Sequence, residues 1–337
     1  MRRAKLAVAG LGRMGRVHAA NVARSCPSAE LAWVFDTNAP LAEEVAGDLG
    51  AKAARDYEEL LADPSLDGVV VASPTPAHAS MAVLAAQAGK HVFCEKPISL
   101  ERPETLSVIE AAEAAGTGLQ VGFHRRFDPS MLAAAERVRA GELGEVVLFR
   151  ATQRDKAPPR PEFLAGSGGM FVDMAIHDFD AARWLVGEVE SVSAQGALMS
   201  GVDDYHTVVA VLRFGARALG VVDVSRVAGY GYDSFVELMG EKATVRVESP
   251  FSAQYEWRSP GAASRPLVES FDRRYAAAFA AEIEHFARSV LAGGGFEPTG
   301  QDALAAFDIA VAAAESARRG EPVAIGASAG SQDSKPR

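Results

Sequence analysis

Cysteine is nearly absent from this chain: Cys26 and Cys94 are the only two in 337 residues, and they form no C-x-x-C pair. That scarcity excludes a disulfide-built scaffold and a structural zinc site, and it points to a reducing cytoplasm. Long apolar runs are missing too. Nowhere do about eighteen uncharged apolar residues follow one another, so no membrane span is expected. Positive charge is in deficit, with 34 Lys and Arg against 44 Asp and Glu, a formal charge of −10. This argues against nucleic acid and anionic membrane surfaces as partners and is silent about a small neutral substrate. No internal repeat is found. Met1-Arg2-Arg3-Ala4-Lys5 ahead of an apolar run mimics a signal sequence, but Gly10, Gly12 and Arg13 interrupt the run.

Those interruptions belong to a different pattern, Gly10-Leu11-Gly12-Arg13-Met14-Gly15, which follows the apolar run Leu6-Ala7-Val8-Ala9 and precedes a helix-compatible stretch, Arg16 to Arg24. In such a fingerprint Gly10 permits the tight turn, Gly12 lets the backbone approach a pyrophosphate and Gly15 allows close helix-strand packing. The helix N-terminus then offers free N–H groups to the anion. Asp36 ends a second apolar strand, Leu31 to Phe35, at the distance expected of a carboxylate that holds the adenosine ribose hydroxyls. The same charge repels a 2′-phosphate, and Thr37-Asn38 supplies no cation to receive one. NAD is therefore favoured over NADP, with Arg13 the one nearby guanidinium able to reach an adenosine phosphate.

With 48% hydrophobic residues, the chain suits two domains with a core in each. Short apolar strands alternate with helical stretches through the first third, as in a doubly wound parallel sheet. The clearest strand, Gly68 to Ala72, runs into Ser73-Pro74-Thr75-Pro76-Ala77-His78, a turn from which Ser73, Thr75 or His78 faces the cofactor or caps the next helix. Beyond Gly122 the rhythm changes to longer alternating segments such as Val208 to Phe214 and Ala218 to Val224. The expected fold class is thus α/β: a Rossmann domain over 1–122 and an α+β domain with a large, mainly antiparallel open sheet over 123–325. Ala276 to Leu291 and Ala303 to Arg319 read as closing helices, and 326–337 as a frayed tail.

Two further groups carry chemistry. Glu95-Lys96-Pro97 follows the buried strand His91 to Cys94, at the carboxyl end where open α/β sheets bind ligands, so that Lys96 can meet a nicotinamide. The bland alternative is a solvated loop lysine. Farther on, Gly168 to Leu185 has helical apolar spacing, with Asp173 and His177 at i and i+4 on one face. There the carboxylate can orient the imidazole, and a histidine suits removal of a hydroxyl proton as hydride leaves the same carbon. The alternative is a structural histidine beside an incidental acid. Two such groups without nearby Cys or further His fall short of a catalytic metal set, so no metal is expected.

Taken together, the glycine fingerprint, Glu95-Lys96-Pro97, Gly122 to Asp128, Gly169 to Trp184 and Tyr230-Gly231-Tyr232-Asp233 resemble the Gfo/Idh/MocA oxidoreductases over nearly the whole chain. The resemblance implies a catalytic set of Lys96, Asp173 and His177, with Glu95 and Lys96 beside the cofactor. It also implies polyol contacts from Arg125, Tyr230 and Tyr232, with Asp155 close by. The activity it implies is NAD-dependent oxidation of a secondary hydroxyl on a cyclic polyol or sugar, myo-inositol first among them, in a homotetramer paired through an apolar sheet face. Other sugar dehydrogenases or reductases of the family, an NAD-using glycoside hydrolase and a non-catalytic nucleotide sensor remain open at this point.

Overall fold

The computed structural model of the chain describes residues 2–199 and 204–326. It resolves into two compact units, one of residues 1–129 and 275–304, the other of 130–274 and 305–337. This differs from the contiguous division expected at Phe123, and the reason is packing. The helix Ala276–Ala292 inserts Ile283, Phe286 and Ala287 into the same core as Leu6, Val8, Val70 and Phe93. That apolar stripe covers the first sheet, so the helix folds with the first unit although it lies late in the chain. Most of the expected tail, 327–337, lies outside the described residues.

In the first unit, β1 (Ala4–Ala9), β2 (Ala29–Phe35), β3 (Lys52–Ala53), β4 (Gly68–Val71), β5 (His91–Cys94) and β6 (Leu119–Val121) form a parallel sheet ordered β3-β2-β1-β4-β5-β6. Continuous apolar runs suit strands buried on both faces: every residue of β4 is buried, as are five of the six in β1. The strand order reverses between β1 and β4, and ligands of such sheets sit beyond the carboxyl ends of the strands at that point.

The second unit carries β7 (Val146–Arg154), β8 (Ser191–Leu198), β9 (Tyr205–Phe214), β10 (Ala218–Ser225), β11 (Asp233–Gly240), β12 (Thr244–Glu248), a small hairpin of β13 (Trp257–Ser259) and β14 (Ala262–Ser264), and β15 (Val323–Ala324). Its main sheet is ordered β12-β11-β7-β10-β9-β8-β15 and is antiparallel except where β10 pairs with β7. Alternation is clear in β9, where Val208, Ala210 and Leu212 are buried while Val209 and Val211 stay exposed. The helix Ile176–Val186 packs against β7 and β10. Just before it, Phe171–Ala175 forms a wide π-helical turn where a continuous α-helix was expected. Such turns recur at functional sites because they shift the direction of the side chains they carry.

Candidate active site

In the first unit, the loop after β1 is shaped by contacts that only glycine allows. Gly10 has φ +90°, and a Cβ there would lie 2.4 Å from the backbone of Ser73, so the loops after β1 and β4 touch at the point where the strand order reverses. A Cβ on Gly15 would sit 1.8 Å from the Gly10 carbonyl oxygen. Gly12, by contrast, is exposed and has no atom within 4 Å of such a position. It is also the N-cap of the helix Arg13–Arg24, which has no side-chain cap and no acidic residue in its first turn. The N-terminal N–H groups therefore remain available to an anion, with Arg13 exposed and Met14 half-buried beside them.

Asp36 stands at the end of β2, its Oδ2 accepting the Leu11 N–H at 2.7 Å and its Oδ1 the Asn38 N–H at 2.8 Å. The carboxylate thus braces the glycine loop and keeps further lone pairs for ribose hydroxyls. These features fit the adenosine and pyrophosphate portions of NAD. Ser73 and Thr75 are half-buried at the start of the helix Thr75–Gln87. His78 is 2% exposed, with Nδ1 2.8 Å from the Pro97 carbonyl oxygen and Nε2 2.7 Å from that of Ser73. Expected to face the cofactor or cap the helix, it instead ties two turns together, and burial lowers its pKa against the pull of the two carbonyls.

Lys96 is half-buried just past β5. Glu95, expected beside the cofactor, turns into the core instead. It is 8% exposed, its Oε1 lies 2.7 Å from His18 Nε2 and its Oε2 accepts the backbone N–H of Lys96 at 3.2 Å. Arg125 lies on the short 3₁₀ turn His124–Phe127, buried, with its guanidinium 5.8 Å from the Tyr275 ring centre.

In the second unit, Asp173 sits on the π turn and His177 in the first turn of the helix that follows, the imidazole buried. A residue that sequence reasoning passed over dominates this region. Arg226, just past β10 and fully buried, donates to Asp173 Oδ2 at 2.6 Å and to Asp204 Oδ2 at 2.5 Å. The other oxygen of Asp204 accepts the N–H groups of Met170 and Tyr205, at 3.0 and 2.8 Å. One guanidinium fork thereby pins the carboxylate of the π turn to the sheet. No local pattern announces this: Arg226 is 53 residues from Asp173 and follows an ordinary alternating strand. Asp155 exchanges backbone hydrogen bonds with Ser225 and Ala228. Tyr232 is buried, while Tyr230 is 59% exposed and lines a surface cavity of about 210 Å³ with Lys156 and Glu269. Lys96 and the pair Asp173 and His177 belong to different units.

The parallel sheet with its glycine loop and the acid at the end of β2, in one chain with an acid and a histidine one helical turn apart, defines the class: a nicotinamide-dependent oxidoreductase. More closely, the chain belongs to the GFO/IDH/MocA family: residues 4–123 match its oxidoreductase domain with an NAD-binding Rossmann fold, and 131–246 its C-terminal domain. It is 36% identical to the scyllo-inositol 2-dehydrogenase (NAD(+)) of Bacillus subtilis over 95% of this chain and 96% of that protein. The myo-inositol 2-dehydrogenase of Thermotoga maritima is 37% identical over 93% and 96%. Among solved structures, scyllo-inositol dehydrogenase from Lactobacillus casei with bound NAD(H) and scyllo-inositol superposes with a TM-score of 0.90 at 29% identity, covering 97% of this chain and all of that one.

Proposed function

We propose that this protein is a cytoplasmic, NAD-dependent dehydrogenase that oxidises a secondary hydroxyl of an inositol, with myo-inositol to the 2-keto inositol as the first choice. The observation that carries the reading is the full-length similarity to inositol dehydrogenases in a chain that keeps Lys96, Asp173 and His177 together with an uncrowded ribose carboxylate at Asp36. Gly10, Gly12, Gly15 and the N-terminus of Arg13–Arg24 hold the pyrophosphate and Asp36 the ribose; when bound, NAD supplies the hydride acceptor. His177 takes the hydroxyl proton. Lys96 donates a hydrogen bond to the reacting oxygen and stabilises negative charge as it develops there. Asp173 orients His177, and Arg226 fixes Asp173 in turn. Arg125, Asp155, Tyr230 and Tyr232 supply polar partners for the remaining hydroxyls, as recognition of a polyol requires.

The homotetramer is part of the same reading. On one face of the second sheet, Val209, Val211, Leu219 and Met239 are exposed, and cross-strand pairing of Val211 with Val221, Leu219 with Leu148 and Leu148 with Met239 links them across β9, β10, β7 and β11. An open apolar sheet face of this kind supports burial between subunits. The decisive experiment is a panel of inositols, other polyols and aldoses with NAD and with NADP, read as reduced nicotinamide. Turnover of inositols with NAD is the expected result. Turnover confined to aldoses, or glycoside cleavage without net NADH, overturns the substrate assignment, and a monomer by light scattering at micromolar concentration overturns the tetramer.

A further inference from the structure

Behind the Lys96 turn lies a buried cluster that the proposed chemistry does not use. His18, Glu95 and Glu282 each bring a ligand-type atom within 4.8 Å of the others, and they are 0%, 8% and 0% exposed. They come from three elements of the first unit: the helix of the glycine loop, the end of β5 and the helix Ala276–Ala292. His18 is wedged between Phe93 and Phe279, with ring centres 5.3 and 6.1 Å away. Its Nε2 meets Glu95, while Nδ1 is buried without a hydrogen-bond partner. A lone pair suits that position better than an N–H, because a buried unpaired donor is costly; His18 thus donates through Nε2 to a Glu95 carboxylate.

Glu282 is harder to place. Both of its oxygens are buried without a hydrogen-bond partner, although Glu95 lies within reach of one bridging water. Two carboxylates this close in an apolar core cannot both be ionised without a large cost. We propose that Glu282 is a neutral acid whose proton is shared with Glu95, and that the pair, braced by His18, positions the turn that carries Lys96.

The environment agrees. Burial first, and then the charge of Glu95, raise the Glu282 pKa well above the usual carboxylate range. Burial opposes ionisation of Glu95 as well, but the hydrogen bond from His18 and the electrostatic pull of His18, Lys96 and His78 together outweigh it, and the Glu95 pKa is lowered. Glu95 Oε2 passes the constraint onward, since it accepts the Lys96 backbone N–H and packs where a Cβ on Gly122 would approach to 3.1 Å. The positioning role rests on the catalytic part assigned to Lys96; the stored proton does not.

A raised folded-state pKa means the folded chain holds a proton that the unfolded chain releases above the ordinary carboxylate range, so the stability tied to Glu282 falls as pH rises toward the folded value. Glu282→Gln keeps the donor and has no proton to lose. Its unfolding constant should therefore improve relative to the natural protein as pH rises, by up to about tenfold per pH unit. Unfolding curves of both proteins between acid and mildly alkaline pH read this directly, and a pH-independent difference overturns the stored proton. Co-purification of one equivalent of a divalent cation, lost in Glu282→Gln, overturns it in favour of a metal site.

For positioning, Glu282→Leu should lower kcat by roughly tenfold with NAD affinity unchanged, the rate equivalent of one hydrogen bond to a charged group, while Glu282→Gln restores it. Acylation of Lys96, mapped by mass spectrometry, should change rate in the Leu variant alone. Equal kcat and equal Lys96 labelling in the Gln and Leu variants overturn the positioning role. If no polyol reduces NAD, the functional reading fails, while the unfolding and labelling arms still decide both parts of this proposal.

Discussion

The two units build their candidate site residues in opposite ways. In the first, the relevant atoms are mostly backbone, delivered by contiguous motifs: a glycine loop against Ser73, a helix N-terminus, and a lysine one residue past a strand-end acid. In the second, an acid on a π turn and a second acid just before β9 are both held by one buried guanidinium, that of Arg226 just past β10. The first arrangement is a property of short stretches of chain and tolerates changes elsewhere. The second exists only once the sheet has formed, so stability and chemistry are tied together there.

That contrast predicts that variants in the two units fail differently. The largest effect on rate belongs to Lys96→Ala, which should lower kcat on the order of 10³-fold while NAD affinity and the thermal midpoint hardly move, because the ammonium acts on charge that develops in the transition state. Near-normal turnover would remove Lys96 from the chemistry. A concurrent collapse in stability would erase the distinction between the units.

Arg226→Met should lose stability and rate together. Two carboxylates would be left without their buried cation, a change that costs about 3–5 kcal/mol where the pair is fully enclosed and less at Asp173, whose side chain is 18% exposed. The ascending limb of the pH-rate profile, which His177→Ala should abolish, should also move to higher pH, because Asp173 would act on the imidazole with its charge no longer shared. Arg226→Lys should recover only part of the loss, since an ammonium lacks the fork that spans both acids. Denaturant unfolding and pH-rate profiles of the three proteins check this. Unchanged stability with altered kinetics would show the second unit to be as modular as the first.

The smallest of these effects is a change of preference. Asp36→Ser with Thr37→Arg should shift the ratio of NADP to NAD efficiency upward by roughly ten- to a hundredfold, as repulsion is relieved and a phosphate partner added. The serine hydroxyl can still accept the Leu11 N–H that Asp36 takes now. An unchanged ratio would mean that the ribose is read by other groups, and that even the first unit's motifs act only in their tertiary setting.

The amino-acid sequence by itself determined the α/β class, the glycine fingerprint, the position of Asp36 at the end of β2 and the lysine past β5. Each of these depends on residues within a strand, turn and helix of one another, and backbone sterics translate such patterns directly into geometry. Tertiary structure alone decided the rest. It moved the helix Ala276–Ala292 into the first unit, because its apolar stripe packs Ile283, Phe286 and Ala287 into the core of that sheet. It turned Glu95 and His78 inward, onto His18 and two carbonyls, and it bound Asp173 to Arg226 across 53 residues. Buried polar groups must find partners once water is excluded, and which partners stand within reach is set by the packing of distant segments, for which a linear pattern has no signal.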